Sequence, residues 1–273
     1  TSLFVGSAHP TADEPGVNPK LSLKWQARDN LMTYATLAKG YRFGGVNLIP
    51  APSSPPTFKS DSLWNLESGV RADWFDKTLI TDVSFYIIRW SDAQVSVTDP
   101  TLPVTYVDNV GSVKGKGVEA QLIWLTPLEG VRLTLTPAYS DIRTASPFKS
   151  GASTIPAGTQ WPLSPRFSAS TSLSWAVVLL DSANLDLSLT HRYMATAQQQ
   201  LSGSPAVVFG CSTYDFGLTL KSFGESYWPE LSVNVNNITD KRGVNFRNVN
   251  AQLGTLTGYI EPRYVTARLT FHF

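Results

Sequence analysis

From Tyr264 onward the side chains alternate without a slip. Val265, Ala267, Leu269, Phe271 and Phe273 fall on one face, and Thr266, Arg268, Thr270 and His272 fall on the other. A period of two belongs to a β-strand, whose successive side chains point to opposite faces. The pattern recurs along the chain. Leu21, Leu23 and Trp25 oppose Lys20, Ser22 and Lys24; Trp64, Leu66, Val70, Ala72 and Trp74 oppose Asn65, Glu67, Arg71 and Asp73. Val118, Ala120, Leu122 and Trp124 oppose Glu119 and Gln121, and Leu133 and Leu135 oppose Arg132 and Thr134. Phe167, Ala169, Thr171, Leu173 and Trp175 stand against a ladder of Ser168, Ser170, Ser172 and Ser174. Leu185, Leu187 and Leu189 then face away from Asp186, Ser188, Thr190 and Arg192, and Tyr214, Phe216, Leu218, Leu220, Leu231, Val233 and Val235 supply the next apolar faces.

These segments are about ten residues long, the length of strands in a membrane barrel. Their connections alternate between tight turns (Arg28-Asp29-Asn30, Asp76-Lys77, Leu128-Glu129-Gly130, Asp181–Asn184) and long loops rich in Pro, Ser and Gly. A sandwich mixes loop lengths at both ends, whereas an up-and-down membrane barrel keeps short turns at one end and long loops at the other. The expectation is an all-β, antiparallel, up-and-down transmembrane β-barrel architecture with about eleven strands. Bacterial single-chain barrels use an even number of strands. With an odd count the first and last strands would run parallel where they met, so the chain should form an open, curved half-barrel. Its edges should lie unpaired near Lys20 and at the terminal strand, and Thr1–Gly6 is too short and too irregular to add a clear further strand.

Composition agrees. The chain of 273 residues carries 22 basic and 21 acidic side chains, so no basic excess points to nucleic acid. Only 16% of residues are charged, against about 25% in soluble proteins. The longest apolar run is Trp175–Leu180, far short of the about 20 residues of a helical span. Apolarity spread over every second residue gives both results. Eight Trp and ten Tyr suit a membrane interface. The single cysteine, Cys211, excludes an internal disulfide. Thr1-Ser2-Leu3-Phe4 has neither an initiator Met nor a charged region followed by an apolar core, so a secreted protein would begin upstream.

At Tyr34-Ala35-Thr36-Leu37-Ala38-Lys39-Gly40-Tyr41-Arg42-Phe43-Gly44-Gly45-Val46-Asn47 the chain resembles the TonB-dependent outer-membrane receptor family, with its Lys-Gly-aromatic-Arg and Gly pair. Asn109-Val110-Gly111 followed by Gly117-Val118-Glu119 is similar to a second motif of that family. Asn237-Ile238-Thr239-Asp240-Lys241 resembles its Asn-Leu-Phe-Asp-Lys turn, with Ile and Thr replacing Leu and Phe, and Pro262-Arg263-Tyr264-Val265 resembles the approach to its last strand. The resemblance covers the C-terminal half of the family's barrel. It implies that the plug domain and the first half of the barrel are absent from residues 1–273. It also implies a bacterial outer-membrane location and energy-coupled uptake of a scarce nutrient, foremost an iron–siderophore complex. Implied partners are outer-membrane lipid, the TonB complex through an N-terminal region, a small metal chelate, and the barrel assembly machinery. The last of these would read Val265, Ala267, Leu269, Phe271 and Phe273 as an assembly signal. A passive porin-like barrel and a soluble all-β binding domain are the competing readings.

Enzymatic and cofactor chemistry finds little support. Gly111–Gly117 lacks the spacing and the Ser/Thr of a phosphate loop and runs into a strand rather than a helix. His9, His191 and His272 are far apart, and no Gly-x-Ser-x-Gly elbow occurs. The chain reads as no enzyme and as holding no cofactor or metal. Asn237-Ile238-Thr239 matches a glycosylation sequon by chance. The candidate ligand-binding residues lie in or beside the long loops: Tyr41, Arg42, Phe43, Tyr106, Arg143, Gln160, Trp161 and Phe246. Aromatic faces and guanidinium groups grip anionic or aromatic chelates by stacking and charge-assisted hydrogen bonds.

Overall fold

The computed structural model describes residues 16–48, 54–98, 104–150, 153–180, 183–199, 201, 207–222, 229–250 and 254–271. Thr1–Gly6, His9, His272 and Phe273 lie outside the described residues. In chain order the strands are β1 (Lys20–Arg28), β2 (Leu31–Arg42), β3 (Gly45–Val46), β4 (Thr57–Phe58), β5 (Asp61–Trp74), β6 (Leu79–Ser91) and β7 (Gln94–Thr98). There follow β8 (Thr105–Asn109), β9 (Val113–Leu125), β10 (Val131–Thr144), β11 (Phe148–Ser150), β12 (Ser153–Ile155), β13 (Phe167–Leu180) and β14 (Ala183–Met194). The last are β15 (Ala197–Gln198), β16 (Val207–Val208), β17 (Cys211–Ser222), β18 (Glu230–Asn236), β19 (Val244–Asn250), β20 (Gly254–Tyr259) and β21 (Tyr264–Thr270).

Eleven of these make one antiparallel sheet in the order β1-β2-β5-β6-β9-β10-β13-β14-β17-β18-β21. Each strand pairs only with its predecessor and successor among them, which is the up-and-down meander expected from the alternating connections. Among the described residues neither β1 nor β21 has a second neighbour, and no ladder joins them. The sheet is open, as the odd strand count requires.

Two details differ from the sequence expectation. The five long connections are not plain loops: each carries a two-stranded ribbon, β3–β4, β7–β8, β11–β12, β15–β16 or β19–β20. Short β-rich stretches such as Val95-Ser96-Val97 opposite Tyr106-Val107 satisfy their backbone groups by pairing with each other. At the other end, β21 stops at Thr270, short of the end of the alternation.

Register settles the two faces. Leu133 pairs with Leu173, Leu173 with Leu189, Leu189 with Phe216, Phe216 with Val235 and Val235 with Val265. Leu21, Leu37, Leu66 and Ile87 form a matching row. These side chains do not close into an interior: Leu21, Leu66, Leu173 and Leu269 are 72, 49, 43 and 53% exposed. Trp25, Trp74 and Trp124 lie on the same face near the short turns, and Phe167, Tyr193 and Tyr214 near the loop end. An apolar band bordered by aromatics at both rims is the exterior of a membrane barrel.

The opposite face is polar and cross-linked. Arg71 Nε donates to Asp82 Oδ2 at 2.6 Å and its guanidinium lies over the Tyr34 ring, whose hydroxyl donates to Glu67 at 3.0 Å. Lys221 pairs with Asp186 at 2.8 Å, Arg192 with Asp215, and Ser172 shares a hydrogen with Thr190 at 3.0 Å. Glycines make room for the larger members. A Cβ on Gly69 would meet the Tyr34 ring at 2.5 Å, and one on Gly117 would meet Tyr86 at 2.4 Å and the Tyr139 carbonyl oxygen at 2.6 Å. In both cases a tyrosine lies across the glycine directly opposite it. This pairing covers a backbone position that has no side chain of its own.

Candidate functional site

The loop end is where the chain builds its only buried apolar cluster among the described residues. Ala93, Val110 and Val113 form it, with Trp90, Val95, Ile142, Phe148 and Trp161 packed around them. Trp90, Val113 and Ile142 belong to the polar face of their strands. The ribbons β7–β8 and β11–β12 therefore fold over the mouth on the inner side of the sheet.

Asp61 holds this arrangement. Its side chain is buried, and it accepts hydrogen bonds from Arg42 Nε at 3.1 and 3.2 Å, from Trp90 Nε1 at 2.9 Å and from the Gln94 amide at 3.0 Å. Arg42 also forms an ion pair with Asp61, donates to the Gln94 carbonyl at 3.1 Å and lies 5.1 Å above the Trp90 ring. Gln94 Nε2 in turn donates to the carbonyls of Phe43 and Lys59. Three strands and two connections meet at one carboxylate. A buried charge is tolerated because every lone pair finds a donor.

The asparagines of the sequence motifs act as further clamps. Asn47 copies a strand, donating to Val107 O at 2.9 Å and accepting from Val107 N at 2.8 Å, which ties β3–β4 to β8. Asn109 Oδ1 accepts from Lys59 N at 2.7 Å, while its amide donates to Asp92 O at 2.7 Å and Lys59 O at 3.0 Å. Asn237, with φ of 50°, donates to Lys241 O and Glu261 O at 2.9 Å each and accepts from Lys241 N at 2.9 Å. Asp240 accepts from Arg263 N at 2.9 Å and pairs with Arg242 at 3.2 Å. The Arg263 amide, opposed by desolvation and helped by Arg242, holds the Asp240 carboxyl below its ordinary range.

The residues singled out from sequence are distributed over this mouth. Arg42 is the partner of Asp61, and Trp161 packs against Trp90 at a tilt with 5.0 Å between ring centroids, so these two meet around one indole. Phe43 is 62% exposed and meets Tyr41 edge-on at 5.0 Å, with Tyr41 on the apolar-face side of β2. Tyr106 is buried in the β7–β8 ribbon. Arg143 donates to Asp141 at 2.8 Å and to Gly158 O at 3.0 Å, and it bridges to Gln160, whose amide donates to Ser164 O. Phe246 sits apart in β19–β20, its ring across Gly258. His191 stacks on Tyr214 at 4.6 Å on the apolar-face side near the loop end. Nothing in the sequence signals Asp61, Trp90 and Gln94, because an Asp opening a strand gives no sign of the donors that converge on it from elsewhere in the chain.

Comparison with known proteins decides the family. The family model described as TonB dependent receptor-like, beta-barrel, matches residues 2–238. The chain belongs to the TonB-dependent receptor β-barrel family. Among solved structures it is similar to the ferric yersiniabactin uptake receptor FyuA of Yersinia pestis, with a TM-score of 0.74 at 18% identity. That match covers 93% of this chain and 37% of FyuA. The ferric preacinetobactin receptor BauA of Acinetobacter baumannii follows at 0.67 and 20% identity, covering 93% and 36%. The ferric-catecholate import receptor Fiu of E. coli K12 matches at 0.65 and 15% identity, covering 93% and 34%. At these identities the likeness shows the fold, and this TonB-dependent receptor chain spans little more than a third of each receptor's length. The family fixes its place as the bacterial outer membrane. The apolar face of the sheet is then the lipid face, the polar face lines the lumen, and the loop end is the outer mouth.

Proposed function

We propose that this chain is the C-terminal part of the barrel of an active importer, coupled to the TonB complex, whose cargo is an iron–siderophore complex. The observation that carries the reading is the pairing of this barrel architecture with neighbours that are themselves ferric-siderophore receptors. A lumen wall lined by ion pairs between neighbouring strands, such as Arg71–Asp82 and Arg192–Asp215, suits a polar filling, supplied by a plug from another part of the receptor. The sheet has two open edges, which further strands of a complete barrel would cover. At the mouth, Phe43 and Phe246 offer exposed aromatic faces to a chelate; Arg42, its charge met by Asp61, shapes with Tyr41, Tyr106, Arg143, Gln160 and Trp161 the ground on which they stand. The alternating outward face Val265, Ala267 and Leu269, continued by Phe271 and Phe273, serves as the signal for barrel assembly.

The test is uptake of radioactive iron, presented as a panel of ferric siderophores, by cells with and without the full-length receptor. One complex should enter in a receptor- and TonB-dependent manner, and Phe43→Ala with Phe246→Ala should raise the concentration for half-maximal uptake. Passive entry of small solutes that persists without TonB would replace this reading with a porin.

A further inference from the structure

The outward face carries a row of cations that transport does not explain. Lys39 pairs across the sheet with Trp64, Trp64 with Arg89, Arg89 with Lys114 and Lys114 with Arg143. Directly paired residues share a face, so these basic side chains lie along one line over β2, β5, β6, β9 and β10 on the lipid side. Lys116, two residues below Lys114, continues it. All are within three residues of the loop end of their strands. From β2 to β21 the outward positions carry one acidic side chain, Asp141, and it is engaged by Arg143 at 2.8 Å and Arg166 at 3.6 Å. Arg89, Lys114 and Lys116 are exposed and have no carboxylate partner among the described residues, while Lys39 lies 5.9 Å over the Trp64 ring. The chain as a whole is nearly neutral, 22 basic against 21 acidic residues, so this concentration is local. One pair below the row, the outward positions of β2, β5 and β6 are apolar, Leu37, Leu66 and Ile87, and Lys116 and Asp141 continue that level on β9 and β10.

We propose that this row is a docking surface for the phosphate groups of lipids in the outer leaflet. Cations at the rim of an apolar band stand at headgroup height, where the anionic group nearest to them is a lipid phosphate. Their long stems lie along the apolar surface while the charged ends reach the interface. Arg adds a planar fork that suits phosphate oxygens, and Lys a point charge. Three cations in register, Lys39, Arg89 and Lys114, with Lys116 one pair below them opposite Asp141, would hold a lipid with two phosphates across neighbouring strands, which a scattered set could not. The inference rests on the barrel's placement in the membrane and is independent of what the receptor imports.

The test uses the full-length receptor in neutral detergent, titrated with bisphosphorylated lipid A and with the same lipid stripped of phosphate. The wild-type receptor should bind the phosphorylated lipid at least about tenfold more tightly, and added salt should weaken that binding by screening. The combined variant Lys39→Gln, Arg89→Gln, Lys114→Gln and Lys116→Gln should lose that tenfold preference while keeping the heat-resistant electrophoretic mobility of a folded barrel and its uptake substrate. Lys77→Gln, at the short-turn end, should leave it intact. If the combined variant does not fold, Arg89→Gln with Lys116→Gln is read in its place. Equal binding of the stripped lipid, or an equal loss with Lys77→Gln, overturns the proposal.

Discussion

Replacing Leu173 by Arg tests the assignment of faces where it matters most. Leu173 is the centre of the outward run from Phe167 to Leu179, six residues from each end. It pairs with Leu133 on one side and Leu189 on the other, and 43% of its surface remains open to lipid. At about 3.3 Å per residue and a tilt of about 40°, six residues correspond to roughly 15 Å of depth, which puts Leu173 close to the midplane. A cation there costs about 2–4 kcal/mol. Ser172→Arg, one position along, points into the lumen opposite Thr190 and Thr134. It forfeits the 3.0 Å bond to Thr190, about 1 kcal/mol, and leaves the new charge in water. The two variants should therefore differ by about 2 kcal/mol, some thirtyfold in the folding equilibrium. Refolding of the full-length receptor into lipid vesicles, titrated with urea, reads this difference. Equal losses, or the larger loss at Ser172, would refute the assignment.

Other outcomes follow from the same structure. Asp61→Ala leaves Arg42, the Trp90 indole and the Gln94 amide without their shared acceptor; it should cost about 1–3 kcal/mol and open residues 92–112 to protease, whereas unchanged nicking would deny the clamp. Gly117→Ala must displace Tyr86 and press on the Tyr139 carbonyl, at about 1–3 kcal/mol, read in the same refolding titration. The depressed Asp240 carboxyl supports the base of the last long connection above the ordinary carboxylate range and loses that support as pH falls through its lowered value; proteolysis between 241 and 262 should rise only in strong acid, and Asp240→Asn should abolish this dependence. Finally, residues 1–273 expressed alone should aggregate in place of giving a heat-modifiable barrel, because β1 and β21 offer unpaired edges; a stable folded species in lipid would contradict this.

Alternation is a local property, and the sequence alone determined what depends on it. It sorted Leu133 from Arg132, Leu173 from Ser172 and Leu269 from Arg268, and it gave the eleven-stranded meander and its open edges. The motifs beginning at Tyr34, Asn109 and Asn237 carried the family. Their physical task was invisible there, because an asparagine's partners lie up to 60 residues away, as between Asn47 and Val107. The ribbons in the long connections, the donors that converge on Asp61 and the fit of Tyr86 over Gly117 belong to the same class. So does the outward row of Lys39, Arg89, Lys114 and Arg143. Each of its members looks in sequence like one more charge near a loop. Only the register of β2, β5, β6, β9 and β10, set by long-range pairing of backbone groups, brings them into a line.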